Sequence, residues 1–147
     1  MNVINSLLKL NIVGEIKLLN GLIDLMKPRV MSLVIFTCAV GLLTAPNHIN
    51  VFDAIISIGF VTLGAGAAGA LNMWYEADLD KLMSRTCLRP IPTGKVNKSQ
   101  ALIFGLALSV ISIYGLYYFS NILSALILSF TIFFYVVVYT VWLKRRT

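Results

Sequence analysis

Residues 101–143, ALIFGLALSVISIYGLYYFSNILSALILSFTIFFYVVVYTVWL, contain no charged side chain and no histidine. As a single helix this run would measure about 65 Å, roughly twice the hydrocarbon thickness of a bilayer. It must therefore fold back on itself within the membrane. Ser120-Asn121 is the natural break and divides it into spans at about 101–119 and 122–143. Working back toward the N-terminus, a polar stretch at 76–98 follows an apolar run at about 54–75, which begins just after the turn cluster Pro46-Asn47-His48-Ile49-Asn50. A further apolar run covers about 30–45 and is opened by Lys27-Pro28-Arg29, with proline tolerated in a first helical turn because its missing N–H would have no partner there. Four spans result, and the fold class is all-α, a polytopic membrane helix bundle.

Bulk composition agrees. The 147 residues are 59% hydrophobic, mean hydropathy is +0.87, and only 12% of positions are charged, about half the globular norm. A net charge of +6 and a pI near 9.6 would suggest nucleic-acid binding in a soluble chain. The placement of the charges excludes that reading. All 12 Lys and Arg residues fall in three groups: up to Arg29, from Lys81 to Lys98, and from Lys144 to Arg146. With four spans these groups share one side, and the two short turns on the other side carry none. By the positive-inside rule the N-terminus and the 76–98 loop face the cytoplasm. Residues 1–26 mix Leu, Ile and Val with Lys, Asn, Glu and Asp, as in an amphipathic segment lying on the membrane surface or a frayed tail. They have neither the uninterrupted apolar core of a cleavable signal peptide nor the Arg- and Ser-rich character of a transit segment, so a bacterial inner membrane is expected. Cys38 and Cys87 stand in such different settings that both are read as free thiols.

The chemistry concentrates where the second span ends. Asn72, Glu76 and Asp80 are spaced by four, so along an α-helix they stay within roughly an 80° sector of one face. Three oxygen donors placed in this way can converge on one hard cation. Mg²⁺ is typically held by one or two carboxylates together with substrate phosphates, and Arg85, Arg89 and Lys95 just downstream suit an anionic phosphate ester. Charged and polar groups at this depth tend to mark sites, although a solvated helix end with paired charges would have the same composition. Asp78, two residues from Glu76, points to the opposite face. Trp74 and Tyr75 flank the acidic face and could touch a substrate. His48 reads as a turn residue, and Tyr114, Tyr117, Tyr118, Phe119, Tyr135, Tyr139 and Trp142 as interfacial anchors. The run Gly64-Ala65-Gly66-Ala67-Ala68-Gly69-Ala70 allows close helix packing, or leaves room beside the site for a lipid chain.

The text from Asn72 to Gly94, with Met83-Ser84-Arg85-Thr86-Cys87-Leu88-Arg89-Pro90-Ile91-Pro92-Thr93-Gly94 at its heart, resembles the first acidic signature of the intramembrane aromatic prenyltransferases. Within that superfamily it is most similar to the branch that farnesylates protohaem IX. Lys27-Pro28-Arg29 and the stretch from Tyr139 to Thr147 are also similar to that branch, so the resemblance covers about residues 20–147. It implies a bundle of about nine spans, of which four are present here, Mg²⁺-dependent binding of farnesyl diphosphate, and transfer of farnesyl to a vinyl group of protohaem IX, giving haem O for terminal oxidase maturation. Residue by residue it implies Asn72, Glu76 and Asp80 as metal ligands, Glu76 and Asp80 as catalytic, and Arg85, Arg89, Lys144 and Arg29 as the diphosphate clamp. Glu76 stands where many members have Asp. The second acidic motif of such proteins has no counterpart among the six acids of this chain, so an N-terminal half of an enzyme is expected, with a C-terminal half or oxidase assembly factors as partners. Two other readings remain open: a sister enzyme acting on a quinone precursor, and a non-catalytic four-span remnant.

Overall fold

The computed structural model describes the backbone of residues 2–46 and 50–143 and the side chains of residues 12–46 and 50–142. His48 and Lys144, both singled out above, lie outside the described residues. Helix α1 (Asn2–Leu25) is followed by α2 (Pro28–Thr44), α3 (Val51–Asp80), α4 (Lys98–Phe119) and α5 (Ile122–Phe133), and the last continues as a π-helical segment, Phe134–Leu143. Among the described residues the regular structure is helical throughout.

Helix boundaries follow local chemistry. Asn50 accepts a hydrogen bond from the Phe52 N–H at the start of α3, and the Asn121 side chain accepts one from the Ser124 N–H at 2.7 Å, fixing the reversal between α4 and α5 where the polar pair interrupts the apolar run. At the start of α4 the Asn97 N–H donates to Gln100 Oε1. Such contacts satisfy backbone groups that a helix end leaves without partners. Pro28 opens α2, and Lys27 before it takes a left-handed backbone conformation with φ 54°. Together they bend the chain by 49° between α1 and α2.

Among the described residues three helices are long and apolar enough to cross a bilayer: Val51–Asp80, Lys98–Phe119 and the combined Ile122–Trp142. The first expected span differs. Helix α2 has only 17 residues and reaches that length only when paired with Ile12–Leu25 across the bend. The proline that opens the run is also what ends the preceding helix.

Helices α3 and α4 lie antiparallel along most of their length. A Cβ placed at Gly105 would meet Leu71, one at Gly64 would meet Ser112 and Leu128, and one at Gly115 would overlap the Phe60 ring. Lipid tails are as apolar as leucine, so helices associate through close packing, and glycines at the seam allow it. One core cluster joins Leu25 of α1 to Ala70, Met73 and Ala77 of α3, Ile91 and Val96 of the polar loop, and Ala101 of α4. The loop is therefore folded down onto the helix ends. Outward residues such as Ile103, Leu106, Val110 and Phe130 are exposed, as a lipid-facing surface requires.

Candidate functional site

Helix α3 carries Glu76 and Asp80 on the face buried under the loop, where they are 5% and 3% exposed. Two carboxylates so placed cost much free energy unless charge and hydrogen bonds compensate them. Arg89 supplies the compensation: its Nη1 donates to both oxygens of Asp80, at 2.8 and 2.7 Å, and lies 3.5 Å from Glu76 Oε2. A single cationic nitrogen thus faces both acids. Convergence of Glu76 and Asp80 on one point follows directly.

The segment after α3 brings Arg89 back to this face by a series of tight turns. The Thr86 N–H bonds to the Met83 carbonyl, the Arg89 N–H to Thr86, the Thr93 N–H to Arg89, and the Val96 N–H to Pro90. Thr86, buried, donates its hydroxyl to the Asp80 carbonyl at 3.2 Å and closes the open end of α3. Gly94 adopts φ +72° with nothing nearby that a Cβ would strike, so its backbone conformation alone calls for glycine. Lys95 pairs with Asp24 of α1 at 3.5 Å, and Lys98 with Asp78 at 2.7 Å. Asp78 thus faces away from Glu76 and Asp80.

Asn72 lies on the same stripe one turn deeper and is 2% exposed. Its Oδ1 accepts from Lys27 Nζ at 3.3 Å, and its Nδ2 donates to Thr140 Oγ1 at 3.1 Å. Thr140 in turn donates to the Tyr135 carbonyl, five residues back in the π-helical segment. Of the basic residues read as a diphosphate clamp, Arg89 is at the site while Arg85 and Arg29 are exposed. Lys27, two positions before Arg29, reaches in instead. Lys27, Thr140 and Thr86 escaped the sequence reading because their roles depend on contacts across the bundle; the only local sign was that Lys27 and Thr140 lie in the two flanking motifs. Among the described residues no group of three His, Cys, Asp or Glu side chains could hold a metal ion. The donors on this face are two carboxylates and an amide oxygen, the oxygen type that a hard divalent cation takes, and here each of them faces a cationic nitrogen of Arg89 or Lys27.

An apolar cavity of about 540 Å³ opens beside this cluster. Gly64, Ala65, Ala68 and Gly69 of α3 form one wall, with α2 and α5 opposite. Within the small-residue run Gly64 and Gly69 line the cavity, while Gly66 closely approaches Met26. Lys27 lines the cavity as well as touching Asn72. Lys27 is the residue that polar cluster and cavity share.

The fold is that of a polytopic membrane helix bundle. The chain belongs to the UbiA prenyltransferase family, whose model matches residues 33–147. Among individual proteins it is similar to the protoheme IX farnesyltransferase of Pelagibacter ubique, 64% identical over 146 residues that make up 98% of this chain and 48% of that protein. The protoheme IX farnesyltransferases of Rhizobium etli and Bartonella quintana are 59% and 53% identical, over 84% and 85% of this chain and 39% and 40% of their own lengths. The chain spans about half the length of the curated relatives it matches or less. No solved structure matches it.

Proposed function

We propose that this chain forms the diphosphate-binding half of a membrane enzyme that transfers farnesyl from farnesyl diphosphate to a vinyl group of protohaem IX, giving haem O. The similarity to named protoheme IX farnesyltransferases supports the substrate pair. The observation that carries the reading is the junction at Lys27, which touches Asn72 on one side and lines the apolar cavity on the other. A prenyl diphosphate has this shape, with a charged head and a hydrocarbon tail.

The head would lie against Lys27 and Arg89, with Arg85, Arg29 and Lys144 closing over it. Lys27 and Arg89 supply positive charge where the leaving diphosphate gathers negative charge, the kind of preorganised stabilisation that lowers the barrier to breaking the allylic C–O bond. Asn72, Glu76 and Asp80 would hold Mg²⁺, which when bound supplies further charge neutralisation on the diphosphate oxygens. The tail would enter the cavity, whose apolar walls keep water from capturing the allylic cation before the haem vinyl carbon does. Helix α1, with Ile12, Ile16 and Leu19 exposed, would lie at the headgroup boundary of a bacterial inner membrane, with the 76–98 loop in the cytoplasm.

The test joins this chain to the part of the Pelagibacter ubique relative that it does not match and follows haem O in membranes. Asp80→Asn should lower haem O formation by about 100-fold or more, on the scale of lost electrostatic stabilisation, while the amount inserted in the membrane stays the same. Undiminished haem O would sink the assignment. Prenylation of a hydroxybenzoate in place of haem would move it to the quinone-precursor branch.

A further inference from the structure

Both partners of the Asn72–Thr140 hydrogen bond are buried, at 2% and 1% exposure. A hydroxyl has one proton to give and two lone pairs to offer, whereas a carboxamide presents an oxygen acceptor at one end and an NH₂ donor at the other. Thr140 gives its proton to the Tyr135 carbonyl at 2.8 Å. Toward Asn72 it is left as an acceptor, and Asn72 Nδ2 meets it at 3.1 Å. Turning the amide over would set its oxygen against the lone pairs of Thr140 Oγ1 and its NH₂ against the Lys27 ammonium, which has only donors. Two buried mismatches of this kind are costly. The Asn72 oxygen is therefore held on the Lys27 side.

We infer that Thr140 is a positioning residue of the diphosphate site, holding the amide of Asn72 so that its oxygen, and not its NH₂ group, is the end offered to a cation. The inference rests on the prenyl diphosphate reading above. Lys27 fixes the amide from the oxygen end only while it stays on Asn72. Once its ammonium turns to a diphosphate, Thr140 keeps the NH₂ end occupied. Helix winding makes this possible. Thr131, in the α-helical part of the same span, donates its hydroxyl to the Ile127 carbonyl four residues back, whereas Thr140 donates five residues back in the π-helical segment. Wider turns of this kind are frequent at functional sites. Here the turn carries Thr140 onto an amide 68 positions away in sequence.

The experiment uses the full chain in lipid nanodiscs with isotope-labelled asparagine, the Asn72 side-chain amide being the NMR signal that Asn72→Ala removes. Thr140→Val, which keeps the shape and loses the hydroxyl, should speed solvent exchange of that amide by about 10-fold or more, as expected when a buried hydrogen bond is lost. Thr140→Ser, which keeps the hydroxyl, should match wild type. Farnesyl diphosphate binding is then followed over a Mg²⁺ titration. Half-saturating Mg²⁺ should rise by about 10-fold in Thr140→Val and in the smaller Thr140→Ala, and stay within about 2-fold of wild type in Thr140→Ser. An amide signal or a Mg²⁺ midpoint that does not move in Thr140→Val, or that moves as far in Thr140→Ser, would overturn the positioning role and leave the prenyl diphosphate reading standing. Wild-type binding that ignores Mg²⁺ would do the same. No saturable binding to wild type, with the amide responding as expected, would overturn the prenyl diphosphate reading while the hold of Thr140 on Asn72 stands.

Discussion

Arg89 faces two buried carboxylates with one nitrogen, 2.7 Å from Asp80 and 3.5 Å from Glu76, so its removal breaks the buried Asp80 pair and takes a cation from beside Glu76. Breaking a buried pair in this way costs about 3 kcal/mol or more. Arg89→Ala is therefore expected to lower the thermal midpoint of the chain in detergent. If Glu76 and Asp80 can take a divalent ion, millimolar Mg²⁺ should return part of that loss, and Na⁺ at equal ionic strength should not. Recovery by both salts alike would argue against a metal at these residues. Spacing alone revealed this acid pair, because a separation of four residues on a helix has one geometric meaning. The partner of Asn72 was hidden for the opposite reason. Lys27 is 45 residues away in sequence, and only the bend at Pro28 swings its ammonium onto the Asn72 amide.

At the scale of helices, the α3/α4 seam depends on side chains that are missing. Gly115 has the Phe60 ring where a Cβ would sit, whereas Gly59, on the exposed side of α3, has nothing within 4 Å. Gly115→Ala is expected to destabilise by about 1–3 kcal/mol through overpacking. Gly59→Ala should be neutral or stabilise by up to about 1 kcal/mol, since alanine is the better helix former. Thermal unfolding of the two variants side by side checks this; equal effects would mean that the seam does not hold the bundle together. The apolar runs and their break at Ser120-Asn121 were legible beforehand, and the helices end and begin at Phe119 and Ile122. The π-helical winding of Phe134–Leu143 was not. Its wider turn places Thr140 where Tyr135 and Asn72 can both bond to it, and hydropathy carries no record of such a turn.

For the whole molecule, the charge distribution fixes an expectation about sidedness. Cys87 lies in the polar loop and Cys38 within α2, so a membrane-impermeant thiol reagent should label Cys87 from the cytoplasmic face of inverted vesicles and leave Cys38 unmodified. Labelling of Cys87 from the outer face of intact cells would reverse the orientation. Composition, uncharged run lengths and helical spacing were enough to determine a membrane helix bundle and to put two acids on one face, because hydrocarbon thickness and helix pitch are fixed lengths against which a sequence can be measured. Tertiary structure alone decided which cation meets those acids, which lysine closes on Asn72, and where the cavity lies. Each of these depends on side chains far apart in the chain arriving at the same place, and pairings of that kind are set by packing between helices rather than by the order of residues within one.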